Sequence, residues 1–154
     1  MKITVSLVAV MLLVLSADAA RAQSADGIKG VDDAWVAAAK KGDVEAIVAL
    51  YAPDAVYYPP DAFEVRGAAA IRKAYTEWFA AVTIPDARIE STYTTSGDLS
   101  LGYGTATLTM QPKTGGAPQT LTVRVTAVAK KVGGKWMYLA DHASAPLPEP
   151  PSSK

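Results

Sequence analysis

The spacing of apolar residues changes from a helical to a strand period near Asp86, and this change constrains the fold more than any other feature of the chain. Before it, apolar side chains recur every three or four residues, as on one face of a helix. After it, they alternate with polar side chains, as in strands with one buried face. A block of helices followed by a block of strands is typical of an α+β domain. We therefore predict helices packed on a curved antiparallel sheet that forms a conical barrel with an internal pocket.

Three helices are predicted before Asp86. The first covers about residues 25–40; its apolar side carries Ile28, Val31, Trp35 and Ala38, and its polar side carries Lys29, Asp32 and Asp33. Asp43 is a good N-cap for a second helix, which Pro53 ends and whose apolar stripe consists of Val44, Ile47, Val48 and Tyr51. The third helix follows Gly67 and has the apolar stripe Ile71, Tyr75, Trp78, Phe79 and Val82.

Five strands are predicted as well. A short one at residues 56–58 ends at Pro59 and Pro60. The other four are joined by short turns that contain glycine, and they cover residues 87–94, 99–111, 119–132 and 135–144. The strand at 119–132 alternates most clearly, with one face formed by Leu121, Val123, Val125 and Ala127. Consecutive strands joined in this way predict an antiparallel sheet.

The first 22 residues have the form of a signal peptide. A positive start at Lys2 precedes an apolar run at residues 3–15, and Ala20 and Ala22 stand at the two positions that signal peptidase reads. The run is shorter than the ~20 residues of a transmembrane helix, although a retained anchor is the alternative. We predict a signal peptide at 1–22, a domain at 23–144, a disordered proline-rich tail at 145–154, and a periplasmic or secreted protein without membrane contact after cleavage.

Charge and composition argue against several classes of partner. The chain has 15 basic and 15 acidic side chains, and removing residues 1–22 leaves 13 and 14, a formal charge of −1. No Lys/Arg cluster exists, which argues against nucleic acid as a partner. The absence of cysteine excludes disulfides and thiolate chemistry. With one histidine and no close set of carboxylates, we predict no metal and no cofactor.

Three segments carry a family likeness: GDVEAIVALYAPDAVYYPP at 42–60, VRGAAAIRKAYTEWF at 65–79 and GKWMYLADHAS at 134–144. Together they resemble the SnoaL-like branch of the nuclear-transport-factor-two-like superfamily, with its cystatin-like cone, and most closely its exported SgcJ/EcaC-type domains. The resemblance implies the conical fold and a homodimer formed through the sheet. It does not imply one chemistry, because the superfamily contains isomerases, dehydratases, cyclases and plain binding or assembly domains.

The ketosteroid isomerase relatives provide a test of that chemistry. By resemblance, the general-base aspartate of those enzymes corresponds to Pro59, their oxyanion-stabilising tyrosine to Trp35, and their protonated aspartate to about Ala127. Neither proline nor alanine can move a proton, and the indole N–H of tryptophan is misplaced for the tyrosine's role. The resemblance therefore argues against isomerase chemistry by that route.

Asp141 and His142 on the last predicted strand are the candidate acid–base residues. Side chains alternate in a strand, so His142 shares a face with Tyr138, whereas Asp141 shares one with Leu139. Only one of the two can enter the pocket unless a bulge intervenes. The family register favours Asp141, for which burial would raise the pKa, while a neutral imidazole is the usual acid–base group near pH 7. A structural histidine is the alternative for His142.

The candidate ligand-binding residues are Trp35, Tyr51, Tyr57, Tyr58, Tyr75, Trp78, Tyr103 and Arg124. Tyr57 and Tyr58 point to opposite faces, so at most one enters the pocket, and the segment around them is interpreted as the rim of the pocket. A core or surface position is the alternative for each. We predict a domain that binds a small hydrophobic or aromatic molecule. The alternatives are an acid–base enzyme (isomerase, dehydratase or SgcJ/EcaC-type oxidoreductase) and a homodimeric assembly module.

Overall fold

The computed structural model of the protein describes residues 27–145. The signal peptide and nearly all of the proline-rich tail lie outside these residues, so both stay predictions. Within them, three helices pack on one face of a curved, six-stranded sheet that does not close. The predicted α+β architecture is confirmed.

The helices are α1 (Ile28–Lys41), α2 (Val44–Val48) and α3 (Gly67–Ala81). Gly42 ends α1 in the left-handed conformation that glycine adopts without strain, with φ of 66°. Asp43 caps α2 as predicted, since its side chain accepts a hydrogen bond from the amide of Ala46 at 3.0 Å. No described helix has both the length and the apolar character needed to cross a membrane.

The strands are β1 (Tyr51–Tyr58), β2 (Val65–Arg66), β3 (Val82–Ser96), β4 (Leu99–Pro112), β5 (Gln119–Val132) and β6 (Lys135–Ser144). Their order in the sheet is β2-β1-β6-β5-β4-β3, and all neighbours are antiparallel except β1 and β6. The parallel β1–β6 pair brings the first and last strands together as the second and third strands of the sheet. The hairpin between β5 and β6 turns on Gly133 and Gly134, both with positive φ as such short turns require.

Two predicted helix residues belong to strands. Tyr51, which was predicted on the stripe of the second helix, begins β1, because that helix ends at Val48 and not at Pro53. The carbonyl of Leu50 instead accepts a hydrogen bond from the amide of Tyr138 at 2.7 Å. Val82, predicted on α3, begins β3. In both cases backbone pairing with a distant strand overrides a helical pattern that is only local.

The core lies between the helices and the concave face of the sheet. Its fully buried aliphatic side chains come from all three helices and from β3, and they are Ile28, Val31, Ile47, Ile71 and Ile84. Each such side chain stabilises the fold by about 1.5–3 kcal/mol relative to an exposed one. The packed core anchors α1 and α3 to the sheet and holds the side chains that surround the cavity described below.

A β-bulge in β6 changes which of its side chains face the helices. Val128 of β5 pairs with Ala140, but the next residue, Ala129, pairs with Tyr138, so Leu139 is an extra residue without a partner. Tyr138 and Asp141 therefore lie on the same, concave face although they are three residues apart. The predicted alternation, which placed Tyr138 with His142 and Asp141 with Leu139, was wrong because it assumed a regular strand.

Candidate functional site

A cavity of about 580 Å³ lies between α1, α3 and the concave face of the sheet. Such a volume suits a small organic ligand, since ligand sites commonly measure roughly 300–1,000 Å³. Much of its wall is apolar and comes from β4 and β5, through Ala106, Leu108, Met110, Leu121, Val123 and Val125. The clearly alternating apolar face of β5 seen in the sequence is thus the wall of the cavity.

A row of paired residues crosses the sheet at the polar part of this cavity. Asp141 of β6 stands between Tyr57 of β1 and Ala127 of β5, and Ala127 pairs in turn with Gly102. The family resemblance placed the protonated aspartate of the isomerases at about Ala127. In this structure the carboxyl group belongs to Asp141 on β6, the cross-strand neighbour of Ala127. Asp141 also lines the cavity.

A directed chain of hydrogen bonds ends at Asp141. The indole Nε1 of Trp35 donates to the Tyr75 hydroxyl at 2.9 Å, and the Tyr51 hydroxyl donates to Asp141 Oδ2 at 2.6 Å. The hydroxyls of Tyr51 and Tyr75 are 2.9 Å apart. An indole can only donate, and the proton of Tyr51 is already used on the carboxylate. Tyr75 therefore donates to Tyr51, so every proton in the chain points towards Asp141.

The environment of Asp141 shifts the balance between its charged and neutral forms. Burial raises the pKa of this carboxyl to about 6, and the neighbouring Asp32 adds to the rise, while the hydrogen bond from Tyr51 opposes it. Burial also raises the pKa of Tyr51 and of Tyr75 well above 10, so both remain protonated donors. Asp141 is therefore a carboxyl group that changes protonation close to neutral pH.

Asp32 is a second carboxyl of the cavity, and it was not predicted as a site residue. Its placement on the polar side of the first helix was wrong: only 6 % of the residue is exposed, and its Oδ1 accepts a hydrogen bond from Tyr138 at 2.5 Å. Burial raises its pKa to about 6, against the lowering effect of the hydrogen bond from Tyr138. A signal was present in the sequence, since Ile28, Asp32 and Trp35 are spaced four and three residues apart, as on one helical face.

The model of the SnoaL-like domain family matches residues 33–139, which is more than half of the chain. The chain belongs to the SnoaL-like domain family. This family of nuclear-transport-factor-two-like proteins comprises ligand-binding proteins and proteins similar to isomerases and dehydratases. No curated protein matches the chain, and its predicted likeness to the SgcJ/EcaC-type domains stays a prediction.

Solved structures of similar fold confirm the architecture of this SnoaL-like domain. A candidate calcium/calmodulin dependent protein kinase II association domain from Xanthomonas campestris is 26 % identical, with a TM-score of 0.67 over 79 % of this chain and 86 % of the other. A ketosteroid isomerase-like protein from Erwinia carotovora is 22 % identical, with a TM-score of 0.70 over 79 % and 95 %. A candidate dehydratase of the NTF2-like family from Streptomyces avermitilis is 19 % identical, with a TM-score of 0.65 over 80 % and 96 %.

Six of the ten predicted site residues of the SnoaL-like domain come together at the cavity. Five line it directly: Trp35, Tyr57, Tyr75, Trp78 and Asp141. The sixth, Tyr51, is buried behind them and reaches the site only through its hydroxyl group. Tyr57 and Tyr75 stack with ring centres 5.5 Å apart, so the aromatic side of the cavity is one continuous surface.

The other four predicted residues lie away from the cavity. Tyr58 and His142 are neighbours on β1 and β6, with an edge-to-face ring contact at 5.9 Å on the outer face of the sheet. Tyr103 on β4 is half exposed, and Arg124 Nη2 donates to the carbonyl of Ala145 at 3.2 Å. Because adjacent strand residues point to opposite faces, the inward position of Asp141 sends His142 outward.

The segment between β1 and β2 forms part of the mouth of the cavity, as its interpretation as a rim requires. Pro59, Pro60 and Asp61 line the cavity. Just beyond them, Glu64 and Arg66 form an ion pair, with a separation of 2.8 Å. Among the described residues, no group of three or more histidine, cysteine or acidic side chains is arranged to hold a metal ion.

Proposed function

We propose that this SnoaL-like domain binds a small hydrophobic or aromatic molecule in the cavity between its helices and its sheet. The observation that carries the proposal is the composition of the wall, in which aliphatic side chains of β4 and β5 and a set of aromatic rings surround the buried carboxyl of Asp32 and the partly buried carboxyl of Asp141. Apolar contact supplies the affinity for such a ligand, and a few fixed polar groups set its orientation.

The aromatic side favours ligands that contain a ring. Trp35, Tyr57, Tyr75 and Trp78 all line the cavity, and pairs of aromatic rings contribute about 0.5–1.5 kcal/mol beyond the burial of their area. The buried hydrogen bonds of Trp35 and Tyr75 hold these two rings in place. The site is therefore largely formed before a ligand arrives, which lowers the entropic cost of binding.

Binding of N-phenylnaphthylamine, a neutral probe that fluoresces in apolar surroundings, tests this proposal. Ala74 lines the cavity from α3, whereas Ala80 is exposed on the same helix. We expect the unmodified protein and Ala80→Trp to bind the probe equally, and Ala74→Trp to bind at least about tenfold more weakly because its side chain fills the cavity. Equal binding by all three proteins would mean that the probe adsorbs elsewhere, and no binding by the unmodified protein would overturn the proposal.

A second candidate function is acid–base catalysis by Asp141 on a substrate with an acidic C–H bond or a hydrated carbonyl. The specific observation is a carboxyl with a pKa of about 6, aimed into a cavity of apolar walls. Its free oxygen, Oδ1, is the atom that would take the proton, since Tyr51 occupies Oδ2. His142 is less suited to this role because it lies on the outer face of the sheet.

The enzymatic candidate is tested on the ligand that native mass spectrometry finds in protein purified gently from its own host. We expect the unmodified protein and His142→Ala to convert that ligand, and Asp141→Asn to have lost conversion by at least about a hundredfold. Conversion that survives in Asp141→Asn would exclude Asp141 as the general base. A ligand that stays unchanged in the unmodified protein would leave binding as the function of the cavity.

A further inference from the structure

The charged side chains in the described wall of the cavity are all acidic. Its described residues include the acidic side chains Asp32, Asp61, Glu77 and Asp141, but no lysine, arginine or histidine. Asp61 and Glu77 are exposed and belong to the part of the wall that meets solvent, whereas Asp32 is buried and Asp141 is largely enclosed. Glu77 also forms an exposed ion pair with Lys73 at 3.5 Å, so the charge that a ligand meets inside the cavity comes from Asp32 and Asp141.

Within residues 27–145, no positive group balances the charge of the Asp141 carboxyl. The groups that act on it are the hydroxyl of Tyr51, which donates one hydrogen bond, and Asp32, which repels its negative charge. Lys29 acts weakly on Asp32 and forms an exposed ion pair with Asp33 at 2.6 Å. A buried carboxylate is costly unless a cation or several hydrogen bonds compensate it, so a positive ligand group would relieve this cost.

Aromatic rings adjoin the same carboxyl. Tyr57 pairs directly with Asp141 across β1 and β6, and it stacks on Tyr75. Trp35 and Trp78 complete the aromatic lining. The faces of such rings attract an ammonium group, most strongly where water is excluded. Carboxylate and ring faces together are the chemistry that recognises alkylammonium groups, and the aliphatic wall of β4 and β5 suits the hydrophobic body attached to one.

We propose that the ligand of this cavity is a cationic amphiphile, a protonated amine or quaternary ammonium group on a hydrophobic or aromatic body. The cationic head contacts Asp141 and the neighbouring ring faces, and the body lies against β4 and β5. This inference rests on the proposed binding function and adds the charge of the ligand to it. An anionic ligand of the same shape is repelled by the carboxyls of Asp32 and Asp141, and a neutral one leaves them without a counter-charge.

Three probes of matched shape test the charge of the ligand: naphthylmethylammonium, naphthylmethanol and naphthoate. Isothermal titration calorimetry at neutral pH measures their affinities for the unmodified protein. We expect the ammonium probe to bind at least about tenfold more tightly than the alcohol, and the carboxylate to bind most weakly. Asp141→Asn should bring the ammonium probe to within about threefold of the alcohol, whereas the matched control Asp33→Asn, an exposed carboxyl on α1, should keep the full difference.

Each of the alternative results would contradict one specific part of the inference. An alcohol that binds as tightly as the ammonium probe would refute the cationic class while leaving a binding cavity in place. A preference for the ammonium probe that persists in Asp141→Asn would refute the placement of the head. If none of the three binds although N-phenylnaphthylamine does, the charge class is wrong; if that neutral probe also fails, the proposed function fails with it. Because the three probes are compared on the unmodified protein, this part of the test does not depend on whether a variant folds.

Discussion

At the scale of single residues, Asp32 and Asp141 link the stability of the protein to pH. Each has a pKa of about 6 in the folded protein against an ordinary value of 3.8. Between these values the folded state holds protons that the unfolded chain has released, so the free energy of unfolding falls as the pH rises and levels off above about 6. Each carboxyl contributes roughly 3 kcal/mol to this fall, at about 1.4 kcal/mol per pKa unit.

We therefore predict that urea unfolding at several pH values from about 4 to 7 shows a protein that is most stable at the acidic end of this window. Asp141→Asn should remove about half of the fall, because asparagine cannot ionise, and Asp32→Asn should remove more than half, because it also removes the repulsion that raises the pKa of Asp141. Asp98→Asn is the control, since the Asp98 carboxyl is exposed in the turn between β3 and β4, away from the cavity. A pH dependence that both buried variants leave unchanged would contradict the assignment.

The hydroxyl of Tyr51 is a positioning group that stabilises the charged form of Asp141. Its hydrogen bond lowers the pKa of a carboxyl that burial raises. We predict that Tyr51→Phe raises the pKa of Asp141 further and costs about 1–3 kcal/mol of stability. Tyr58→Phe, on the outer face of the same strand, should change neither. Carbon-13 NMR titration of the labelled carboxyl measures the pKa, and an unchanged or lower value in Tyr51→Phe would disprove this role.

At the scale of elements, the bulge at Leu139 determines which side of β6 contributes to the cavity. It puts Tyr138 and Asp141 on one face, and a strand without it would place one of them outside. We predict that deleting Leu139 costs at least about 3 kcal/mol, because it forces outward-facing side chains towards the core or buried ones into solvent. Deleting Gly116 from the β4–β5 turn is the control and should cost less than about 1 kcal/mol. Thermal unfolding compares the two, and equal losses would show that the bulge is not needed.

At the scale of the whole molecule, the outer face of the sheet carries a second set of aromatic side chains. Tyr58, His142, Thr126 and Tyr103 are cross-strand neighbours in one row, and Leu99 is half exposed on the strand that carries Tyr103. An exposed patch of this kind often marks an interface. The family resemblance implies a homodimer through the sheet, and we propose that this row lies in it.

We predict that analytical ultracentrifugation at micromolar concentrations finds a dimer, and that Tyr103→Glu weakens it by at least about tenfold because it places a charge in the interface. Phe63→Glu is the matched control: Phe63 is 95 % exposed, but in the segment between β1 and β2 and not on the outer face of the sheet. A monomeric mass for the unmodified protein would disprove the proposed dimer. Equal weakening by both variants would locate the interface elsewhere.

Hydrophobic periodicity by itself determined the α+β class, the apolar face of β5 and the opposite directions of Tyr57 and Tyr58. These follow from contacts between residues close in the chain, where a helix or a strand has a fixed repeat. Local chemistry likewise predicted the cap at Asp43.

Only the tertiary structure decided how the site is assembled. Tyr51 and Asp141, which share a hydrogen bond, are 90 residues apart, and Asp32 and Tyr138, which share another, are 106 apart. The bulge at Leu139 exists only in relation to its partner strand, and the burial of Asp32 depends on how α1 is rotated against the sheet. The sequence pattern shows the period of each element, but the direction of a side chain at the cavity depends on the register and rotation that the packed elements adopt together.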